Sequence, residues 1–229
     1  MRMRRKHNLD ERLEQVKDYI LERTIEDRNM KTSVEIKDYL DYRKIFGNDN
    51  PVELEIGCGK GRFINEMAKR HPDTNFIAIE MLSNVIVDAC EKAKKENLKN
   101  LKFMILRAEC LPSYIPEHSL RRIYINFPTP LPQKGYEKQR LTNRKFLSMY
   151  KTLLAKGGDI YHKTDNRGMF EFSVCEFSQS GFGLKDVTLD LLNSPLAENN
   201  IMTEHEKKYS DMLMPIYKLT AFVLDDKAE

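Results

Sequence analysis

The stretch VELEIGCGKGRFI, Val52 to Ile64, places glycines at 57, 59 and 61 between an apolar run and a helix-like pattern, with Glu55 just ahead of them. Glycines so spaced let the backbone bend sharply and approach a ligand at a helix N-terminus. Phosphate-binding and nicotinamide-binding proteins use similar turns, and some such turns are only tight connections, so the carboxylates must decide between ligands. Glu80 closes the run NFIAIE, 19 residues beyond Gly61, a distance that suits an acid accepting from both hydroxyls of a ribose. Glu55 lies beside the loop, where a carboxylate would repel a pyrophosphate but attract ammonium and sulfonium groups. Together they favour S-adenosylmethionine over a dinucleotide; the alternative for Glu55 is an ordinary strand-end charge.

A second stretch, INFPTPLPQKG, sets three prolines within five residues directly after the apolar run RRIYINF. Proline fixes φ and gives up an N–H, so it is confined to sheet edges, strand starts and bulges. The run must be a stiff loop leaving the carboxyl end of a strand, the end at which open α/β sheets bind ligands.

The elements that position these groups follow from the hydrophobic pattern. Short apolar runs (VELEI, NFIAIE, LKFMIL, RRIYINF, DIYHK) alternate with helical patterns (GRFINEMAKRH, SNVIVDACEKAKKEN, TNRKFLSMYKTLLAKGG, NRGMFEFSVCEFSQSG), and strand-like stretches follow near Leu184–Leu191 and Ile216–Leu224. This alternation predicts βαβ crossovers and a mainly parallel, doubly wound α/β sheet. KGG after Ala155 and SG before Phe182 read as helix stops. Leu9, Leu13, Val16 and Ile20 recur at helical spacing, so residues 1–50 are expected to form a helix and an arm laid on a core spanning 51–229, all as one domain.

The 229 residues are 41% hydrophobic and 32% charged, with a net charge of +3. Arg2, Arg4, Arg5 and Lys6 account for more than this excess, and Lys134, Lys138, Arg140, Arg144 and Lys145 form a second cluster after the proline loop. Two local basic patches on a near-neutral body suit a polyanion such as nucleic acid, although either alone also reads as a solvated tail or an ordinary charged helix. The four cysteines are far apart, which argues against both a zinc site and a disulfide framework. No apolar run approaches the roughly 18 residues of a membrane span, and NLDERLEQV follows the basic start where a signal peptide would carry its apolar core. A cytoplasmic protein without metal or membrane partner is the expectation, monomeric or homodimeric.

The blocks MRMRRK, LEIGCGKGRFI, the acid at Glu80, YINFPTPLPQKGYEKQRLT, HKTDNRGMFEFS and NIMTEHEKKYS, in this order, resemble the bacterial tRNA (guanine-N7-)-methyltransferases almost end to end. KTDNRG and NIMTEHE are the most specific of them. The resemblance implies a Rossmann-like class I methyltransferase with a seven-stranded sheet and helices on both faces, forming 7-methylguanosine in the tRNA variable loop. It places Glu55, Gly57, Gly59, Gly61, Glu80, Arg107, Glu109 and Asn126 at the cofactor. Gln133, Asp165, Thr203, Glu204, His205 and Glu206 fall at the guanine, with Thr129 and Asp165 beside the reacting atoms. Asp165 and Thr203 also read as helix N-caps, and Thr203-x-x-Glu206 as a capping box.

The proline loop departs from the family pattern. Where relatives read Asp-Pro-Trp-Pro-Lys, this chain has Thr129-Pro130-Leu131-Pro132-Gln133; the expected later histidine is Tyr136, and Arg107 stands where an acid near the adenine is common, with Glu109 two residues on. Three readings follow: a working enzyme with altered contacts, a methyltransferase with another RNA target, or an RNA-binding paralogue that no longer catalyses. NFPTP resembles the Asn-Pro-Pro-aromatic loop of exocyclic-amine methyltransferases only weakly, since its second proline is displaced and no aromatic follows.

Overall fold

The structure, a computed structural model, describes residues 5–24, 36–210 and 214–224. The chain divides into two compact units, Met1–Tyr114 and Ile115–Glu229.

In the first unit three apolar runs form parallel strands, β1 (Val52–Ile56), β2 (Asn75–Glu80) and β3 (Leu101–Ile105), with Leu54 beside Ile77 and Ala78 beside Phe103. Every residue of β1 is buried, Glu53 and Glu55 included. A parallel sheet is covered on both faces, so its strands bury whatever side chains they carry. The N-terminal segment follows its spacing only in part: the helix stops at Gln15, before Val16 and Ile20, Leu13 is only half-buried, and Ile20 is extended, because the chain there pairs with the sheet edge. Helix α1 (Leu9–Gln15) buries Leu9, the next residues bury Val16 and Tyr19, and Ile20 bridges in parallel to Phe103. A short helix α2 (Tyr42–Phe46) precedes β1. The crossovers are α3 (Arg62–Arg70) after β1 and α4 (Ser83–Lys95) after β2, and a single turn, α5 (Leu111–Tyr114), ends the unit.

In the second unit β4 (Leu120–Asn126) and β5 (Leu154–Thr164) are parallel, joined through α6 (Arg144–Leu153). Helix α7 (Arg167–Gln179) leads to β6 (Phe182–Thr188), and α8 (Glu204–Ser210) precedes β7 (Tyr217–Val223), which lies antiparallel between β5 and β6. Strand order is β3-β2-β1-β4-β5-β7-β6, the mainly parallel Rossmann-like sheet that the alternating pattern implies.

KGG is not a helix stop. Helix α6 ends at Leu153, and the glycines lie inside β5, where the β4–β5 register shifts between Leu120 and Arg122. Gly157 has φ +78°, and a Cβ on Gly158 would stand 2.9 Å from the Ala155 carbonyl oxygen and 3.0 Å from that of Leu120. Two glycines there serve a bulge, which needs both a left-handed residue and close backbone approach. Gly181, by contrast, follows α7 in the left-handed conformation, as SG predicts.

Candidate active site

The residues singled out in the sequence fall into two clusters, one in each unit. In the first unit the turn after β1 is held by β2. The amides of Gly57 and Cys58 both donate to the Ile79 carbonyl, at 2.8 and 3.1 Å. Gly57, Gly59 and Gly61 all have φ between +57° and +77°, where a side chain is costly. Their surroundings differ. A Cβ at Gly57 or Gly59 would meet nothing within 4 Å, whereas one at Gly61 would stand 2.4 Å from the Ala89 Cβ and 2.7 Å from Asn65 Nδ2. The first two glycines therefore keep a space open, and the third lets α3 start against α4.

Glu55, at the end of β1, is 2% exposed, so it is no solvated strand-end charge. Glu80 ends β2 half-buried, its Oε1 accepting from the Leu82 amide at 3.0 Å, which fixes the carboxylate at the strand end. Arg107 and Glu109 are neighbours in space: Arg107 Nη2 donates to Glu109 Oε1 at 3.1 Å. The acid two residues on from the expected place thus shares its charge with the arginine that took that place.

In the second unit Asn126 ends β4, buried, and the proline loop follows. Phe127 and Leu131 have φ of 49° and 45°, uncommon for non-glycine residues and costing roughly 1–2 kcal/mol each. Two contacts hold them there. The Phe127 amide donates to the Lys163 carbonyl at 2.8 Å, and the Arg140 guanidinium donates to the Leu131 carbonyl. Thr129 and Gln133 are exposed on this loop.

Asp165 follows β5. It is not the cap of α7; Asn166 is, its Oδ1 accepting from the Met169 amide at 2.8 Å. Among the described residues the half-buried Asp165 carboxylate has no hydrogen-bond or ion-pair partner. Thr203 and Glu206 do form the capping box, with the Glu206 amide donating to Thr203 Oγ1 at 3.0 Å and the Thr203 amide to Glu206 Oε2 at 3.3 Å. The Glu206 carboxylate also receives the Lys163 ammonium at 2.7 Å. Between these residues the exposed His205 ring stacks on Phe127, centroids 5.8 Å apart and planes at 28°.

Residue patterns did not single out Phe127, Arg140 or Lys163 as supports, nor His162. His162 is fully buried, with Nδ1 2.9 Å from the Ile125 carbonyl, and burial pushes its pKa down to about 4. The signal for Lys163 was its place inside HKTDNRG, a block noticed only as a whole.

Residues 49–219 match a family described as putative methyltransferase. The chain is 47% identical over 177 residues to the tRNA (guanine-N(7)-)-methyltransferase of Bacillus subtilis, covering 77% of this chain and 83% of that one. It is 46% identical over 180 residues to the enzyme of the same name from Geobacillus kaustophilus, covering 79% and 82%. Among solved structures, the 16S rRNA methyltransferase KamB superposes with a TM-score of 0.62 at 14% identity, covering 82% of this chain and 96% of that one; this likeness speaks to the fold alone.

Sheet order, glycine turn and strand-end acids together define a class I S-adenosylmethionine-dependent methyltransferase. Within that class, the chain belongs to the tRNA (guanine-N(7)-)-methyltransferase family. The first unit suits the cofactor: Gly57 and Gly59 leave open the space that a Cβ would fill, and carboxylates stand at the ends of β1 and β2. Among the described residues no helix is long and apolar enough to cross a membrane, and no group of three or more His, Cys, Asp or Glu could hold a metal ion.

Proposed function

We propose that this chain, acting in the cytoplasm as one methyltransferase domain over residues 1–229, methylates N7 of a guanine in the variable loop of tRNA. The observation that carries the reading is the open left-handed turn at Gly57 and Gly59 with Glu80 fixed at the neighbouring strand end, in a chain nearly half identical to its curated relatives.

S-adenosylmethionine, when bound, supplies an electrophilic methyl on a sulfonium, and the sulfur keeps the bonding pair as the methyl leaves. Glu80 would accept from the ribose hydroxyls, and Glu55 would favour the cationic end. Guanine N7 carries an in-plane lone pair and no proton, so none of these residues need act as a base. Their work is orientation and electrostatics. The purine becomes cationic as the N7–carbon bond forms, and a carboxylate nearby lowers that barrier. Losing such a contact typically costs about 10²-fold to 10³-fold in rate. Thr129 offers only a hydroxyl at the usual position of that acid, which leaves Asp165, without a partner among the described residues, as the carboxylate best suited to the task.

Incubation with unmodified tRNA and labelled S-adenosylmethionine, followed by nucleoside analysis, tests the reading; 7-methylguanosine is the expected product. In calorimetry, Glu80→Ala should weaken cofactor binding about tenfold or more, the effect of losing a charge-assisted hydrogen-bond pair. A wild type that binds tRNA but neither binds nor uses the methyl donor would favour the non-catalytic paralogue.

A further inference from the structure

Lys163 and Glu206 form an ion pair in which neither side chain reaches solvent. The ammonium donates to Glu206 Oε2 at 2.7 Å, Asn200 Oδ1 at 3.0 Å and the Ile201 carbonyl at 3.0 Å, as many acceptors as an ammonium has protons. The carboxylate is equally engaged. Besides Lys163, its oxygens accept from Asn200 Nδ2 and from the Thr203 amide. Meanwhile the Lys163 backbone carbonyl takes the Phe127 amide at the start of the proline loop. One residue thus ties both candidate substrate segments to the strand end that carries Asp165, and the Phe127–His205 stack joins those segments to each other.

Stability alone is a weak reason for such a pair, because well-packed apolar residues of similar volume often do as well or better. What an apolar pair cannot do is set the register of a short polar turn. We infer that Lys163 is a positioning residue: it neutralises Glu206 and docks the Asn200–Glu206 turn, so that Glu206 shapes the substrate site through Thr203 and His205 and does not supply charge to the purine. This rests on the tRNA methyltransferase reading for its kinetic part only.

Four forms of the full chain test the inference: wild type, Lys163→Met, Lys163→Met/Glu206→Leu, and Glu206→Gln. The single Lys163→Met should melt lowest, because it leaves a buried charge uncompensated, and the double variant should recover most of that loss. Hydrogen exchange needs no tRNA: the Thr203 and Glu206 amides should lose about tenfold or more protection in Lys163→Met and in the double variant. Cofactor affinity should stay within about twofold of wild type in both, since neither Lys163 nor Glu206 is among the candidate cofactor residues. With tRNA, the folded double variant and Glu206→Gln should raise KM about tenfold while kcat changes little, the pattern of lost uniform binding. A kcat loss of about 10²-fold in Glu206→Gln at unchanged KM would overturn the inference, because it would put the Glu206 charge on the transition state. Wild-type protection and KM in the double variant would overturn it too. A wild type that makes no 7-methylguanosine would count against the functional reading, and the exchange data would still decide the docking.

Discussion

The Arg140 guanidinium closes on the carbonyl of Leu131, nine residues back along the chain, with Nε at 3.3 Å and Nη2 at 3.0 Å from the oxygen. The same cation lies 4.4 Å from the centroid of the Phe172 ring, and Arg140 is only 9% exposed. The proline loop is thus clamped at the residue whose backbone is left-handed, two positions beyond Thr129. Arg140→Lys cannot keep both hydrogen bonds and the planar stack. It should cost about 1–2 kcal/mol of stability, read by denaturant melts. It should also lower the methylation rate at saturating tRNA while leaving S-adenosylmethionine affinity unchanged.

Thr129 is exposed on the clamped loop and lacks the charge that the family resemblance implies at this place. Thr129→Asp should raise the single-turnover methyl-transfer rate and leave tRNA affinity nearly unchanged, because the added charge acts on the cation that develops in the transition state. The gain should fall well short of 10²-fold, since Leu131 and Gln133 do not complete the older arrangement. A slower Thr129→Asp enzyme would mean that the loop has been rebuilt around the hydroxyl.

The basic patches are smaller in the fold than in the sequence. Arg5 pairs with Asp10 at 2.5 Å and Lys6 with Asp88, while Arg2 and Arg4 lie outside the described residues. In the second patch Arg140 is the loop clamp and the exposed Arg144 pairs with Glu176 and Gln179, while Lys134, Lys138 and Lys145 are exposed and have no ion-pair partner among the described residues. Replacing these three lysines by alanine should flatten the plot of log tRNA affinity against log salt by up to about 0.9 per lost phosphate contact. Removing residues 1–4 should flatten it through Arg2 and Arg4 in the same way. An unchanged slope in both would assign the patches to solvation.

His162 should leave a mark on stability as a function of pH. Its pKa in the folded chain, about 4, lies below the ordinary 6.5, so the unfolded chain takes up a proton that the folded one refuses. Stability is complete above about pH 6.5 and falls as pH drops toward 4, by about 3 kcal/mol over the full window. The melting temperature of His162→Asn should be lower at neutral pH but should depend less steeply on pH between 6.5 and 4. Parallel curves for the two proteins would mean that His162 is not the group responsible.

Periodicity and glycine spacing were enough to anticipate a mainly parallel α/β sheet, the turn at Gly57–Gly61 and the acids at the ends of β1 and β2, because these are local: each depends on residues within one strand–turn–helix unit. The capping box at Thr203 and Glu206 was legible for the same reason. Partner choice was not. Whether Glu206 faces a substrate or Lys163, whether Arg140 faces a phosphate or Leu131, and whether Asp165 or Asn166 caps α7 depend on which segments the fold brings together. A charge symbol in a sequence carries no record of its counter-ion. The KGG bulge shows the same limit, since its glycines answer to the register of β4 against β5 and not to the helix before them. Sequence thus determined which groups this protein has for methyl transfer, and tertiary structure decided which remain available for it, because an unpaired polar group is costly to bury and most of those the fold covers are paired with one another.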